Sequence, residues 1–146
     1  MSTRKPPGLQ TADYARLASF RYALRTFLHF SEVETARVGL TGQQYQAMLV
    51  VRSRPERAPV TIADLARQML IRHHSAVGLV DRLAALGLVA RAPVDGDRRK
   101  VRLQMTAAGE RVLARLAAVH RRKLRRISPD IFRILGELAS VWRPGA

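Results

Sequence analysis

At 146 residues and 47% hydrophobic content, the chain is long and apolar enough for one folded domain, or one domain with helical extensions, and is not a disordered chain. It has no cysteine, which excludes disulfides, thiolate redox sensing and cysteine-ligated zinc. A net charge of +15, from 26 basic and 11 acidic side chains, points to a polyanionic partner, nucleic acid by default; 23 of the basic residues are Arg and three are Lys, so a G+C-rich coding sequence accounts for part of the excess.

The opening MSTRKPPGLQ is polar and lacks a signal-peptide core, and no apolar run approaches the roughly 18 residues that span a bilayer. The expectation is therefore a cytoplasmic protein with no membrane partner. Residues 1–10, with Pro6, Pro7 and Gly8, read as a flexible arm. Arg4 and Lys5 on that arm are in reach of a phosphate backbone only as a secondary reading.

Residues 11–37 have helical periodicity, with Leu17, Phe20, Leu24, Phe27 and Leu28 on one face. A lone helix cannot bury that stripe, so it must pack on its own domain, on a second subunit, or on both. Thr41 with Gln44 three residues on forms a capping-box pattern for a helix ending near Arg54, where Pro55 and Pro59 bracket a turn. Val60 to Ile62 reads as a short strand. Thr61 with Asp64 is a second capping signal, and Ile62, Leu65, Ala66 and Met69 are the inner face of a two-turn helix.

The next helix is expected from His73 to Leu86. Ala76, Leu79, Val80 and Leu83 face inward; His74, Val77, Gly78 and Asp81 face outward, with Ser75 and Arg82 on the flank. Gly87 suits a left-handed stop. Leu88 to Pro93 and Val101 to Met105 have β character, and Asp95-Gly96 is a turn dipeptide, so the pair forms a hairpin. Five basic and two acidic residues lie between Arg91 and Arg102, which gives the hairpin a positive face. Thr106 caps a helix running to Ile127, with Leu113, Leu116, Ala117, His120 and Leu124 as its stripe. Ser128-Pro129-Asp130 reads as a fresh helix start, with Ile131, Leu135, Leu138 and Trp142 on one face and Pro144-Gly145 ending the chain.

A two-turn helix, a tight turn, a second helix and a basic hairpin form the order of elements that places one helix in the major groove of DNA and a wing beside it. From residue 61 to 111, with LTGQQYQAML upstream, the sequence resembles the MarR family (multiple antibiotic resistance regulators) of winged helix-turn-helix proteins. The likeness is carried by TIADLA, by Asp81-Arg82-Leu83, by Gly87-Leu88-Val89-Ala90-Arg91, by Asp97-Arg98-Arg99, and by Met105 before Thr106 and Gly109. Met105 stands where Leu is usual. The resemblance implies a mainly α fold with a small β-wing: a winged helix-turn-helix at 41–105 on a dimerisation platform of helices 11–37 and 106–143.

It further implies a homodimer on double-stranded DNA, acting as a sequence-specific, ligand-responsive regulator, a repressor in preference, on a pseudo-palindromic operator. The DNA-binding residues would be Arg72, His73, His74, Ser75, Gly78 and Arg82 on the helix, and Arg98, Arg99 and Lys100 on the wing, with Asp97 positioning a guanidinium. Two departures stand out: Arg72 replaces a common Ser or Thr cap, and Gly78 replaces a long polar side chain. A small aromatic or lipophilic effector would sit between platform and winged domain, against Phe20, Arg21, Leu24, Tyr45, Met48 and Leu49. The competing reading of that stripe is plain core.

No metal or cofactor is expected. His73 and His74 point about 100° apart on a helix and cannot chelate together. Protonation of the pair would favour phosphate and weaken DNA binding as pH rises. His29 and His120, near Glu32 and Glu34, fit a hydrogen-bonded core or interface better than zinc. No nucleophile–base pair or phosphate loop supports an enzyme. A non-specific architectural binder and a protein-interaction module remain as alternatives; the intact basic wing opposes the second.

Overall fold

The structure, a computed structural model, describes residues 8–141 apart from the side chains of Arg98 and Val141. Most of the expected N-terminal arm, including Arg4 and Lys5, and the terminal Trp142, Pro144 and Gly145 lie outside the described residues. Five helices and a hairpin follow in order: α1 (Thr11–Ala36), α2 (Gly42–Ser53), α3 (Ile62–Met69), α4 (His73–Ala85), β1 (Val89–Val94), β2 (Asp97–Met105) and α5 (Ala107–Val141). They form two compact units. One runs from Ser31 to His120; the other joins the segment ending at Phe30 to the segment starting at Arg121.

In the Ser31–His120 unit, the capping boxes form as the sequence dictates. Thr41 Oγ1 accepts the Gln44 N–H at 3.1 Å while Gln44 Oε1 accepts the Thr41 N–H at 2.9 Å. Thr61 and Asp64 make the same reciprocal pair at the start of α3. Helices α2, α3 and α4 then bury Met48, Leu65, Leu79, Val80 and Leu83 together with Val60 and Leu103. Each large side chain so buried contributes about 1.5–3 kcal/mol. The expected strand at Val60 to Ile62 shrinks to one bridge, Val60 to Leu103, because the Thr61 cap commits Ile62 to α3.

Asp64 is the best-held carboxylate of this unit. It accepts the Thr61 N–H at 3.1 Å, lies 3.8 Å from Arg54 and pairs with Arg67. The backbone hydrogen bond foremost, with the Thr61 hydroxyl and the two guanidiniums, holds its carboxyl below the usual Asp range against the opposing effect of burial. A lowered folded-state pKa stabilises the fold above the ordinary Asp value, about 4, and that contribution disappears as pH falls through the lowered value. Asp64→Asn is therefore expected to be less stable than wild type near neutrality and to lose less stability on acidification. Urea melts of both proteins at several pH values check this; parallel pH profiles would refute it.

The hairpin pairs β1 and β2 antiparallel, with a register shift at Pro93/Val94 and the turn at Asp95-Gly96, where Gly96 has φ +84°. Asp97 to Lys100, expected in a loop, lie within β2: Asp97 pairs with Val94 across the two-residue turn, residues 98–100 bulge, and pairing resumes at Val101. Helix α4 ends one residue earlier than expected. Gly87, at φ +71°, donates to the Ala84 carbonyl and Leu88 to that of Leu83, a Schellman stop.

The second unit holds the N-terminal part of α1 and the C-terminal part of α5. Here the expected helix restart at Ser128-Pro129-Asp130 does not occur: α5 is continuous from Ala107 to Val141 with Pro129 inside it. Proline cannot donate to the Arg125 carbonyl four residues back. The Ser128 hydroxyl donates to that carbonyl instead, at 3.3 Å, so the missing rung is replaced by a side chain. Lys123 Nζ sits 5.1 Å from the Phe30 ring centroid, a cation–π contact between the two segments. Ile134 is buried, whereas Tyr14, Tyr22, Leu24, Leu28, Leu124, Phe132 and Leu135 are exposed, Tyr22 at 74% and Phe132 at 71%.

Candidate nucleic-acid interface

Helix α4 packs Ala76, Leu79, Val80 and Leu83 inward, and this fixes what its other face presents. Arg72, His73, His74, Ser75, Asp81 and Arg82 are exposed; Val77 and Gly78 are half-buried. Arg72 is the N-cap residue in extended conformation and makes no side-chain cap bond. The first-turn amides of α4 thus have no capping side chain, unlike those of α2 and α3.

Gly78 has a specific consequence. A Cβ there would stand 3.4 Å from Arg82 Nη1, so the Arg82 side chain lies back along the helix over the glycine. This follows the N-terminal tilt of helical side chains, which brings position i+4 over i. Arg82 makes no ion pair among the described residues. An unpaired guanidinium therefore occupies the middle of the outward face, where residue 78 itself offers nothing.

The wing is tied to this helix by an ion pair between Asp81 and Arg91 of β1. Such an exposed pair contributes at most about 1 kcal/mol, so its effect is chiefly one of position. The sequence reading had Asp81 as an outward residue and Arg91 as one of several wing charges; nothing in their spacing paired them. Arg99 and Lys100 are exposed on β2. Asp97 Oδ1 accepts the backbone N–H of Arg99 at 2.9 Å, so it braces the strand backbone at that residue rather than the Arg99 guanidinium. The Arg98 side chain lies outside the described residues.

The candidate effector residues divide between the units. Tyr45 and Met48 are buried in the winged core and Leu49 packs against it, while Phe20 is half-buried and Arg21 and Leu24 are exposed in the other unit. His120, expected as a hydrogen-bonded core or interface histidine, is buried beside Tyr45, and its partner Ser31 was not legible in the sequence. His120 stacks on the Tyr45 ring at 4.4 Å, with Nδ1 2.7 Å from the Leu116 carbonyl and Nε2 2.8 Å from Ser31 Oγ. A carbonyl only accepts, so Nδ1 carries the proton there. Burial raises the Tyr45 phenol above its ordinary value. Both His120 nitrogens are engaged, and His29 is exposed. No group of three metal-ligating side chains stands together among the described residues, and no helix among them is long and apolar enough to cross a membrane.

Residues 38–100 match the model of the MarR family. The likeness to that family rests on this segment, which is under half of the chain. Over 76 residues it is 33% identical to the HTH-type transcriptional regulator FarR of Neisseria gonorrhoeae, covering 52% of this chain and 50% of that protein. Over 80 residues it is 39% identical to the transcriptional activatory protein BadR of Rhodopseudomonas palustris, covering 54% and 45%. The chain spans about half the length of these relatives. Among solved MarR-family structures, AbsC from Streptomyces coelicolor superposes with a TM-score of 0.74 at 22% identity, covering 94% of this chain and 93% of that one. CouR from Rhodococcus jostii, bound to p-coumaroyl-CoA, gives 0.68 at 22% identity over 87% and 91%. The winged-helix fold expected from the sequence is thus the fold observed, and the relatives are regulators rather than enzymes.

Proposed function

We propose that this chain is a MarR-family DNA-binding transcriptional regulator that works as a homodimer on a pseudo-palindromic site. The observation that carries the reading is the exposed face shared by α4 and the wing. Arg72, His73, His74, Ser75 and Arg82 are exposed on the helix and Arg99 and Lys100 on the hairpin, which the Asp81–Arg91 pair ties to the helix. The helix enters the major groove and the wing follows the backbone toward the adjacent minor groove. Dimerisation is supported by the large exposed apolar side chains of the second unit, among them Tyr22 and Phe132. Two subunits would address half-sites about one helical turn apart. Genome-fragment selection with the purified protein tests this: a palindromic consensus is expected, and enrichment governed by charge alone would leave a non-specific binder.

Repression is the primary sense, since a dimer seated on its operator excludes other proteins from it. Activation is the second reading, favoured by the name of the 39%-identical relative. A small aromatic or lipophilic effector fits the reading, given a family neighbour bound to an aromatic acyl-CoA. It would act by binding the DNA-incompetent spacing of the two winged domains more tightly.

Arg82, laid over Gly78, is the side chain that replaces the missing reader at position 78. Arg82→Ala is expected to relax preference at one base pair per half-site, a loss of about 1–3 kcal/mol on the best sequence and little on others. Equal losses on all sequences in a competition assay would make Arg82 a phosphate contact instead.

A further inference from the structure

The strand that leaves the wing carries an arginine that the DNA-facing elements do not use. Arg102 lines a cavity of about 340 Å³ on the Ser31–His120 unit, bounded by the end of α2, the turn before α3, β2 and the start of α5. Its Nε is buried and has no hydrogen-bond partner among the described residues. A buried N–H of a charged group left without an acceptor is costly, so the site is incomplete as it stands.

The surrounding charges do not complete it. Arg52 and Arg54 also line the cavity, facing Glu56 and Glu110. Arg52 is already bonded to Glu110 at 2.9 Å, and Arg54 reaches Asp64, which is itself held by Arg67. Four guanidiniums therefore meet three carboxylates, and one positive charge is left over. The rest of the wall mixes Gln104 with the apolar Pro55, Ala58, Pro59 and Met105, while Val51, Val60 and Leu103 lie buried behind it. A volume near the lower end of small-molecule sites, about 300–1,000 Å³, suits a compact ligand.

We infer that this cavity binds a small monocarboxylate with a compact apolar body, whose carboxylate accepts from the Arg102 guanidinium. A single carboxylate cancels the one excess charge and supplies the acceptor that Nε lacks, in the side-on fork that guanidinium and carboxylate share. The compact apolar body meets Pro55, Ala58, Pro59 and Met105. A phosphate carrying more than one negative charge would overshoot the single excess charge.

Titration calorimetry on the full chain tests this with cyclohexanecarboxylate, its neutral analogue cyclohexanecarboxamide, and inorganic phosphate. Saturable binding of the carboxylate is expected, with the amide and phosphate at least about tenfold weaker. Arg102→Gln is expected to weaken the carboxylate about tenfold or more, and Arg102→Lys, which keeps the charge but not the fork, to fall between. If Arg102→Gln does not fold, the Nε–H resonance of Arg102 in the wild type decides: it moves on titration if the proposal holds. Absence of saturable binding, equal binding of acid and amide, preference for phosphate, undiminished binding by a folded Arg102→Gln, or an unmoved resonance would each overturn it.

Discussion

Replacing Arg98 and Arg99 together by Ala is expected to weaken DNA binding at least about thirtyfold near physiological salt and to lower the slope of log affinity against log salt by about two. The argument begins with the hairpin. A two-residue turn at Asp95-Gly96 lets β2 start at Asp97, and both arginines lie in the bulge between the Val94–Asp97 and Pro93–Val101 pairs, held by the ladder at each end. Asp97 holds the Arg99 backbone, and the Asp81–Arg91 pair fixes the hairpin to α4. Side chains carried on such a frame lose less freedom on meeting a phosphate or the minor groove than they would from a loop. Fluorescence anisotropy across a salt series checks the prediction. Unchanged affinity would remove the wing from the interface, while a loss at constant slope would assign it to base readout.

Gly109→Ala is expected to destabilise the Ser31–His120 unit by about 3 kcal/mol, an overpacking penalty at the upper end of its range. A Cβ at Gly109 would stand 2.0 Å from the Leu88 carbonyl oxygen and 2.9 Å from Met105 Cε. The Leu88 carbonyl cannot retreat freely. It accepts the Thr106 N–H at 3.1 Å, while the Thr106 hydroxyl donates to the Gly87 carbonyl at 2.6 Å and accepts the Gly109 N–H at 3.0 Å. The start of α5 is thereby docked on the turn that ends α4. Gly136→Ala on the same helix meets nothing within 4 Å and is expected to raise stability by up to about 1 kcal/mol. Thermal melts that shift in opposite directions for the two glycines support the account; similar shifts would refute it.

What the sequence made legible was local. Thr41 with Gln44, Thr61 with Asp64, and Gly87 each act through neighbours within a few residues, so spacing alone located three helix ends. The inward faces of α3 and α4 followed from a period of 3.6. The outward face of α4 was its complement. What was not legible depended on distant partners. Asp81 and Arg91 meet because a hairpin folds back on a helix. The match of Gly109 to the family pattern had no physical reason until Leu88 stood beside it. Ser128-Pro129-Asp130 misled because its start signals are genuine; the Ser128 hydroxyl serves the Arg125 carbonyl and lets the helix pass through. The apolar stripe of α1 was visible, but Leu24 and Leu28 are exposed in the single chain, and the sequence holds no direct record of what covers them.

The N-terminus of α4 sets stability against recognition. Helices α2 and α3 each spend a Thr hydroxyl on their own first-turn amides, and a cap of that kind is typically worth about 1 kcal/mol. Helix α4 has Arg72 in that place and leaves its amides to whatever arrives from outside. On the proposed reading the arriving group is a DNA phosphate, which takes the amides and the Arg72 charge together. Selection for a tougher fold would favour Ser or Thr at this position, and selection for a tighter operator would resist it. The free protein is thus less stable at one helix end than its own sequence grammar allows, and on that proposed reading the operator would act as the missing cap.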